Sequence, residues 1–268
     1  MSETKAGNIE AIRDWSKRYF YTKSDVSEFF TKLNTGLTAY KLTIIGPANT
    51  EITITDNDQT NPQEYVVKTD STGKYIGLFF FNEGNALSLT SGTYSASHQL
   101  DDYVDFITMV PLVIATPVMT SDTTPSGHVT CSSNFNTYPG WHAFKQLGAH
   151  DRGWVSAGGD VVGAWIKYEF PEPVNILKLT VYNRNESGQG SIGGNNRIIH
   201  HFKFQGSSDD SNWHDFGTIE LENIGGKDKA FDMYENTLVY KYYRLLVVDS
   251  YDASYVGFAD IQMYKADN

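Results

Sequence analysis

The chain has 268 residues, carries a net charge of −11, and is 14% aromatic and 20% charged. This length allows two or three domains, and the composition is typical of short β-strands with glycine-rich connections, which excludes disorder or a coiled coil throughout. The acidic charge and the lack of a Lys/Arg run exclude nucleic acid as an expected partner, because a surface that binds it must neutralise phosphates.

The N-terminus lacks the pattern of an export signal, which has a basic start followed by a continuous apolar run. Residues 1–20 are polar and amphipathic instead. The sequence also lacks the run of about 18 apolar residues that a membrane span requires. We therefore expect synthesis in the cytoplasm, without export by the usual route and without membrane insertion.

Residues 1–36 are predicted to form a helical oligomerisation and attachment segment, because apolar residues recur there at helical spacing. Asn8 and Thr22 are candidate N-caps for two short helices. Helices this short are not stable alone, so their aromatic stripe must be buried. Folding back within one copy is one solution, but a homo-oligomer, most simply a trimer, fits better. The predicted interface residues are Ile12, Trp15, Tyr19, Phe20, Phe29 and Phe30.

Residues 37–115 are predicted to form a small all-β spacer domain. Alternating or β-branched runs such as TEITITD (50–56) are separated by turn signals about every ten residues, as in a small sandwich. The segment 69–75 is similar to a turn of transthyretin-like domains. Asp56, Asn57 and Asp58 are interpreted as a solvated turn, because the glycine and distal glutamate of a calcium loop are missing.

Residues 116–268 carry the strongest strand pattern, with alternation in AWIKYEF (164–170) and NILKLTVYNR (175–184). Five short pieces in fixed order resemble the discoidin family, also called coagulation-factor type C or galactose-binding-like. They are WHAF (141–144), GWVS (153–156), GAWI (163–166), GSSDDSNW (206–213) and YYRL (242–245). The resemblance implies a jelly-roll β-sandwich. We expect the large rings of Trp154, Trp165 and Trp213 to fill its core.

The resemblance also implies that carbohydrate binds to loops at one end of this sandwich. These loops supply aromatic rings for the C–H face of a sugar and polar groups for its hydroxyls. The candidate carbohydrate-binding residues are Tyr138, His142, Arg184, Asn185, Asn196, Arg197, Tyr251 and Tyr255.

No catalytic site or cofactor is predicted. We find no Ser-His-Asp order, paired-carboxylate site or phosphate loop. His200 and His201 are adjacent in a predicted strand, so their rings are expected on opposite faces, where they cannot share a metal. The single cysteine, Cys131, excludes an internal disulfide.

A structural calcium, common in discoidin-type sugar modules, is predicted to be lost. The resemblance places oxygen ligands where this chain has Lys145, Arg152 and Asp260. Two of the three positions are cationic and repel Ca²⁺. We expect Lys145 or Arg152 to pair with Asp260. The alternative is that Asp151 restores the site through a shifted loop.

Residues 11–33 resemble the helical start of bacteriophage tail-fibre and receptor-binding proteins. The sequence therefore predicts a non-enzymatic appendage of a virion, such as a tail or head fibre. Its C-terminal domain would bind host-surface carbohydrate, and residues 1–36 would bind other virion proteins. The alternatives are an accessory carbohydrate-binding protein of a glycan-degrading system and a purely architectural decoration protein of the virion.

Overall fold

A computed structural model describes most of the chain after the predicted helical segment. The described residues are 37–58, 62–82, 84–100, 104–150, 153–185, 197–233 and 236–267. Outside them lie the ligand residue predicted at Asn196 and the interface residues predicted at Ile12, Trp15, Tyr19, Phe20, Phe29 and Phe30. Within the described part, no helix has the length and apolar character needed to cross a membrane.

The described residues divide into two compact units. The first ends at Pro111 and includes the end of the chain from Ala266, and the second comprises Leu112–Lys265. The sequence-based division placed this boundary between residues 115 and 116.

The described part of the first unit is a small β-sandwich. Its strands are β1 (Thr38–Ile45), β2 (Glu51–Asp56), β3 (Glu64–Lys68), β4 (Lys74–Phe81), β5 (Ala86–Ser91), β6 (Tyr94–Gln99) and β7 (Val104–Thr108). One sheet has the order β4–β1–β7, in which β4 is antiparallel and β7 parallel to β1. The other sheet has the order β3–β2–β5–β6. Both sheets contribute to one apolar cluster between them.

Alternating side chains produce this cluster. In β2, Ile52 and Ile54 are fully buried, whereas Thr53 and Thr55 are partly exposed. Neighbouring residues of a strand point to opposite faces, so this sequence buries one face and leaves the other accessible to water. Burial of each isoleucine contributes about 1.5–3 kcal/mol.

The second unit is a larger β-sandwich, which confirms the predicted mainly-β class. Its strands are β8 (Leu112–Ile114), β9 (His128–Cys131), β10 (Trp154–Val155), β11 (Trp165–Val174), β12 (Lys178–Asn183), β13 (Ile199–Ser207), β14 (His214–Glu220), β15 (Asp228–Asp232), β16 (Tyr240–Ser250) and β17 (Gly257–Ala266). One sheet has the order β10–β17–β12–β15, with β8 also paired to β17, and the other has the order β14–β13–β16–β11–β9. Two short 3-10 helices, Gly140–Phe144 and Gly148–His150, lie between β9 and β10.

The two sheets of this unit enclose one hydrophobic core. Trp154 is fully buried in it, as predicted, and its Nε1 donates a hydrogen bond to the Ser133 carbonyl at 2.9 Å. The bond satisfies the polar end of the ring, so Trp154 adds its large apolar area without an unpaired donor.

Two of the three tryptophans predicted in the core are only partly buried. In β11, Ile166 and its alternate neighbours face the core, so Trp165 faces outward, where the Lys167 ammonium lies 5.4 Å from its ring centroid. Trp213 lies in the turn between β13 and β14, with the Arg244 guanidinium 4.0 Å from its ring centroid. The core prediction was therefore wrong for Trp165 and Trp213. Neighbouring residues of β11 point to opposite faces of the sheet, and it is Ile166 rather than Trp165 that faces the core.

Candidate functional site

Three loops of the second unit meet near the start of β13. They follow β9, connect β12 to β13, and connect β16 to β17. Their converging side chains, which we call the aromatic–arginine cluster, are Phe135, Tyr138, Arg184, Arg197 and Tyr255. Four of these five were predicted from the sequence. Phe135 was missed, although it lies only three residues before the predicted Tyr138.

The cluster pairs each guanidinium group with aromatic rings. Arg184 lies 4.9 Å from the ring centroid of Tyr138. Arg197 lies 4.8 Å from the centroid of Tyr255 and 5.5 Å from that of Phe135. The Phe135 ring packs edge-on against Tyr255, with centroids 5.2 Å apart, and lies nearly parallel to the Tyr138 ring at 6.5 Å, so it links the two pairs. Cation–π contacts contribute about 0.5–2 kcal/mol each, so they restrict the orientation of both guanidinium groups.

The loop after β9 is a tight turn that holds two rings of the cluster. The Phe135 amide donates to the Val155 carbonyl at 2.8 Å, and the Tyr138 amide donates to the Phe135 carbonyl at 2.9 Å. Asn136 between them has a φ of 42°, in the left-handed region that asparagine tolerates better than most residues. The backbone of β10 therefore anchors Phe135.

Arg184 is fully buried directly after β12, at 0% exposure. A Cβ atom at Gly257 would lie 2.8 Å from the Cδ of Arg184 and would also overlap the Trp154 carbonyl oxygen. Glycine at this position of β17 therefore leaves room for the arginine stem. A guanidinium group keeps its proton in proteins, so Arg184 gives the cluster a permanent positive charge.

Backbone geometry also positions Arg197 and Tyr255. Arg197 has a φ of 58°, and its carbonyl accepts a hydrogen bond from the Gly257 amide at 3.1 Å. A left-handed conformation costs a residue other than glycine about 1–2 kcal/mol, and such strain is concentrated at functional sites. The Asp252 carboxylate accepts from the Ser254 amide at 2.7 Å and from the Tyr255 amide at 3.2 Å. This turn holds Tyr255 beside Arg197.

The other described candidates make different contacts. The His142 ring packs edge-on against Trp141, with centroids 4.2 Å apart. The Asn185 side chain donates to the Ala149 carbonyl. Tyr251 is 43% exposed, and its hydroxyl donates to the Leu221 carbonyl at 3.1 Å. Burial is the main cause that raises the pKa of Tyr251, followed by nearby carboxylates.

The prediction that His200 and His201 point to opposite faces is wrong. Their ring centroids lie 3.8 Å apart. Ile199 pairs with Ser250 and His201 pairs with Asp249, so His200 is an extra residue in β13. An extra residue of this kind is a β-bulge, which interrupts the alternation on which the prediction depended.

The surroundings of Asp260 do not fit the calcium ion that the resemblance implied. Its Oδ1 accepts from the Gln146 amide at 3.2 Å, and its Oδ2 accepts from the Gly148 amide and the Gln262 side chain, each at 2.8 Å. Donors directed at both oxygens stand where a cation would need to bind. Burial raises the pKa of Asp260 above its ordinary value.

The described hydrogen-bond donors to the Asp260 side chain are amide groups. The Lys145 ammonium lies 5.0 Å from the ring centroid of Trp141. Arg152 and Asp151 lie outside the described residues. Amide donors stabilise the buried carboxylate among the described residues, and the pairing of Asp260 with Arg152 and the alternative through Asp151 stay predictions.

Comparison with known proteins finds one family and a set of distant structural neighbours. Residues 128–260 match the model of the F5/8 type C domain. No curated protein matches the chain. The structural neighbours include the family 32 CBM from C. perfringens NanJ in complex with galactose, which is 10% identical and covers 52% of this chain and 93% of its own, with a TM-score of 0.42.

Two further neighbours have similar scores. A fucose binding module of Streptococcus pneumoniae, SpX-3, is 13% identical and covers 54% of this chain and 98% of its own, with a TM-score of 0.41. An F5/8 type C domain from Bacteroides fragilis is 16% identical and covers 53% of this chain and 93% of its own, also with a TM-score of 0.41. The match to the family model, together with the observed two-sheet sandwich, identifies residues 128–260 of this chain as an F5/8 type C (discoidin-like) domain.

Proposed function

We propose that the F5/8 type C domain binds carbohydrate through the aromatic–arginine cluster. The observation that carries this proposal is the fully buried Arg184 against Tyr138, beside the half-buried pair of Arg197 and Tyr255. All four residues belong to loops at one end of the sandwich, where three of them are partly exposed to a ligand and the fully buried Arg184 supports the Tyr138 ring.

The chemistry of the cluster suits a saccharide. A sugar ring presents hydroxyl groups at its edge and an apolar C–H face. Aromatic rings contact the face, while guanidinium and tyrosine hydroxyl groups donate to the hydroxyl oxygens. Stacking uses the flat face of a guanidinium group, whereas its N–H groups donate within the plane. Both functions are therefore compatible in one side chain.

The rigidity of the cluster favours binding. Ordering a long side chain at an interface costs about 0.5–1.5 kcal/mol, and the ring contacts restrict both arginines before a ligand arrives. The partly exposed Arg197 also favours sugars that carry a carboxylate, because arginine binds carboxylates through paired hydrogen bonds, and the buried charge of Arg184 adds to the positive field.

The test is a glycan array with the full chain, including neutral and carboxylate-bearing sugars, followed by calorimetry on the best ligand. Arg197→Lys retains the charge but removes the planar set of donors. We expect at least fivefold weaker binding, which corresponds to the loss of about 1 kcal/mol of hydrogen bonding. Tyr138→Phe, which removes one hydroxyl group, should weaken binding by a similar factor.

Arg244→Lys is the matched control. Arg244 also stacks on an aromatic ring, but it pairs with Gln205, which lies roughly 20 Å along β13 from the start of that strand at Ile199. The Arg244→Lys variant should bind the glycan with the same affinity as the wild type. If Arg197→Lys and Tyr138→Phe also bind the glycan as tightly as the wild type does, the cluster is excluded as the site. A folded chain that binds no glycan would contradict the function and favour an architectural role.

We also propose the setting predicted from the sequence, which is a non-enzymatic appendage of a bacteriophage virion. This proposal is supported by the resemblance of residues 11–33 to the helical start of bacteriophage tail-fibre and receptor-binding proteins. These residues lie outside the described part of the chain. An oligomer would strengthen weak single-site binding through avidity. Antibody labelling of purified phage particles tests the location. Glycan cleavage by the purified chain would instead favour a role in glycan degradation.

A further inference from the structure

The β-bulge at His200 brings two imidazole groups and a carboxylate together at one point. One ligand atom from each of His200, His201 and Asp249 lies within 4.8 Å of the others. The Nδ1 of His201 lies 2.9 Å from Oδ1 and 3.1 Å from Oδ2 of Asp249. The Nδ1 of His200 lies 3.2 Å from the same Oδ1.

We propose that His200, His201 and Asp249 form a binding site for a divalent transition-metal ion, with Zn²⁺ as the fitting ion. Zinc is bound by histidine nitrogen and aspartate oxygen at about 2.0–2.2 Å in tetrahedral geometry, which places neighbouring ligand atoms about 3.3 Å apart. The observed nitrogen–oxygen separations differ from this value by only a few tenths of an ångström. Two nitrogen ligands disfavour Ca²⁺ and Mg²⁺, which prefer oxygen alone.

The residues around these three ligands support the assignment. When the Nδ1 of His200 faces the ion, its Nε2 is the outer nitrogen, and it lies 3.5 Å from Oε1 of Glu220. Histidine ligands commonly donate this outer N–H to a carboxylate, which fixes the ring and strengthens its basicity. The His201 amide donates to Oδ1 of Asp249 at 2.9 Å and holds that carboxylate in place. The Tyr251 ring covers His200, with centroids 4.4 Å apart.

The strand pairing explains why the ligands converge. His201 pairs with Asp249 and Phe202 pairs with Val247, so Val248 is an extra residue in β16 as His200 is in β13. Bulges redirect side chains at functional positions. With regular alternation, His200 and His201 would point to opposite faces of the sheet. The two adjacent bulges are therefore the structural basis of the site.

The test is calorimetric titration of the full chain, without a polyhistidine tag, with zinc chloride. We expect one strongly bound ion per chain, lost by His201→Gln and by Asp249→Asn. Replacement of a residue that only hydrogen-bonds to a metal ligand typically weakens metal affinity roughly 10–100-fold, so Glu220→Gln should weaken zinc binding by a factor in that range. His201→Gln and Asp249→Asn, which remove ligands themselves, should weaken it by more. His214→Gln, in the neighbouring strand β14, is the matched control and should bind as the wild type does.

A second readout keeps the test valid if a variant folds poorly. Zinc should raise the melting temperature of the wild type relative to chelator, because an ion that binds only the native state stabilises it, and calcium should not. Cobalt substitution should give the visible absorption of a tetrahedral site. Absence of zinc binding to the wild type would overturn the proposal, as would equal binding by well-folded Asp249→Asn.

Discussion

Replacement of Gly153 by alanine should destabilise the F5/8 type C domain more than replacement of any glycine in an open turn. Gly153 has a φ of 56° directly before β10. A Cβ atom there would overlap the carbonyl oxygens of Phe258 and Ala259 in β17. Both atoms belong to a buried strand, so the added methyl group can be accommodated only if β10 moves away from its partner.

The expected decrease in the free energy of unfolding of Gly153→Ala has two causes. The left-handed conformation costs an L-residue about 1–2 kcal/mol. Overpacking against rigid neighbours adds about 1–3 kcal/mol. Replacement of Gly159 distinguishes the conformational cost from the overpacking cost, because Gly159 also has a positive φ, of 85°, but no atom lies within 4 Å of an added Cβ. Gly159→Ala should therefore show only the conformational cost, about 1–2 kcal/mol.

Urea unfolding followed by tryptophan fluorescence measures both variants. Four of the five tryptophans lie within residues 112–265, so the signal reports mainly on this unit. Gly153→Ala should also weaken glycan binding, because β10 supplies the Val155 carbonyl that holds Phe135. Equal destabilisation by the two substitutions would refute the close approach of β10 and β17 as the reason for glycine at position 153.

Three further predictions follow from the buried carboxylate and the N-terminal segment. Because burial raises the pKa of Asp260 above 3.8, the native state binds more protons than the unfolded chain as the pH rises above that value. The stability of the wild type relative to Asp260→Asn should therefore fall as the pH rises from 3.8 through the raised pKa of Asp260 in the folded state, which urea titrations at a series of pH values would measure. Millimolar calcium should leave the melting temperature unchanged relative to chelator, since the Gln146 and Gly148 amides already bind the carboxylate; a rise of several degrees would contradict this. Deletion of residues 1–36 should give a folded monomer by light scattering, and an unchanged oligomer would exclude that segment as the interface.

Most strands and the family of the C-terminal domain are readable from the sequence, because both depend on local order. Alternation in TEITITD places Ile52 and Ile54 on one face whatever the partner strand is. The five sequence pieces that indicate the discoidin family retain their order along the chain, so they too require no knowledge of packing. Four members of the aromatic–arginine cluster could be predicted for the same reason, since the resemblance identifies the loops that contain them.

Tertiary structure alone decided how those residues meet. The sequence contains Arg184 as an ordinary loop residue, and its burial against Tyr138 depends on the close approach of β17 at Gly257. The convergence of His200 and His201 depends on the register between β13 and β16, which is set by pairing with a strand some 50 residues away. Alternation determines a face only while a strand stays regular, and a bulge is a property of two paired strands rather than of either sequence.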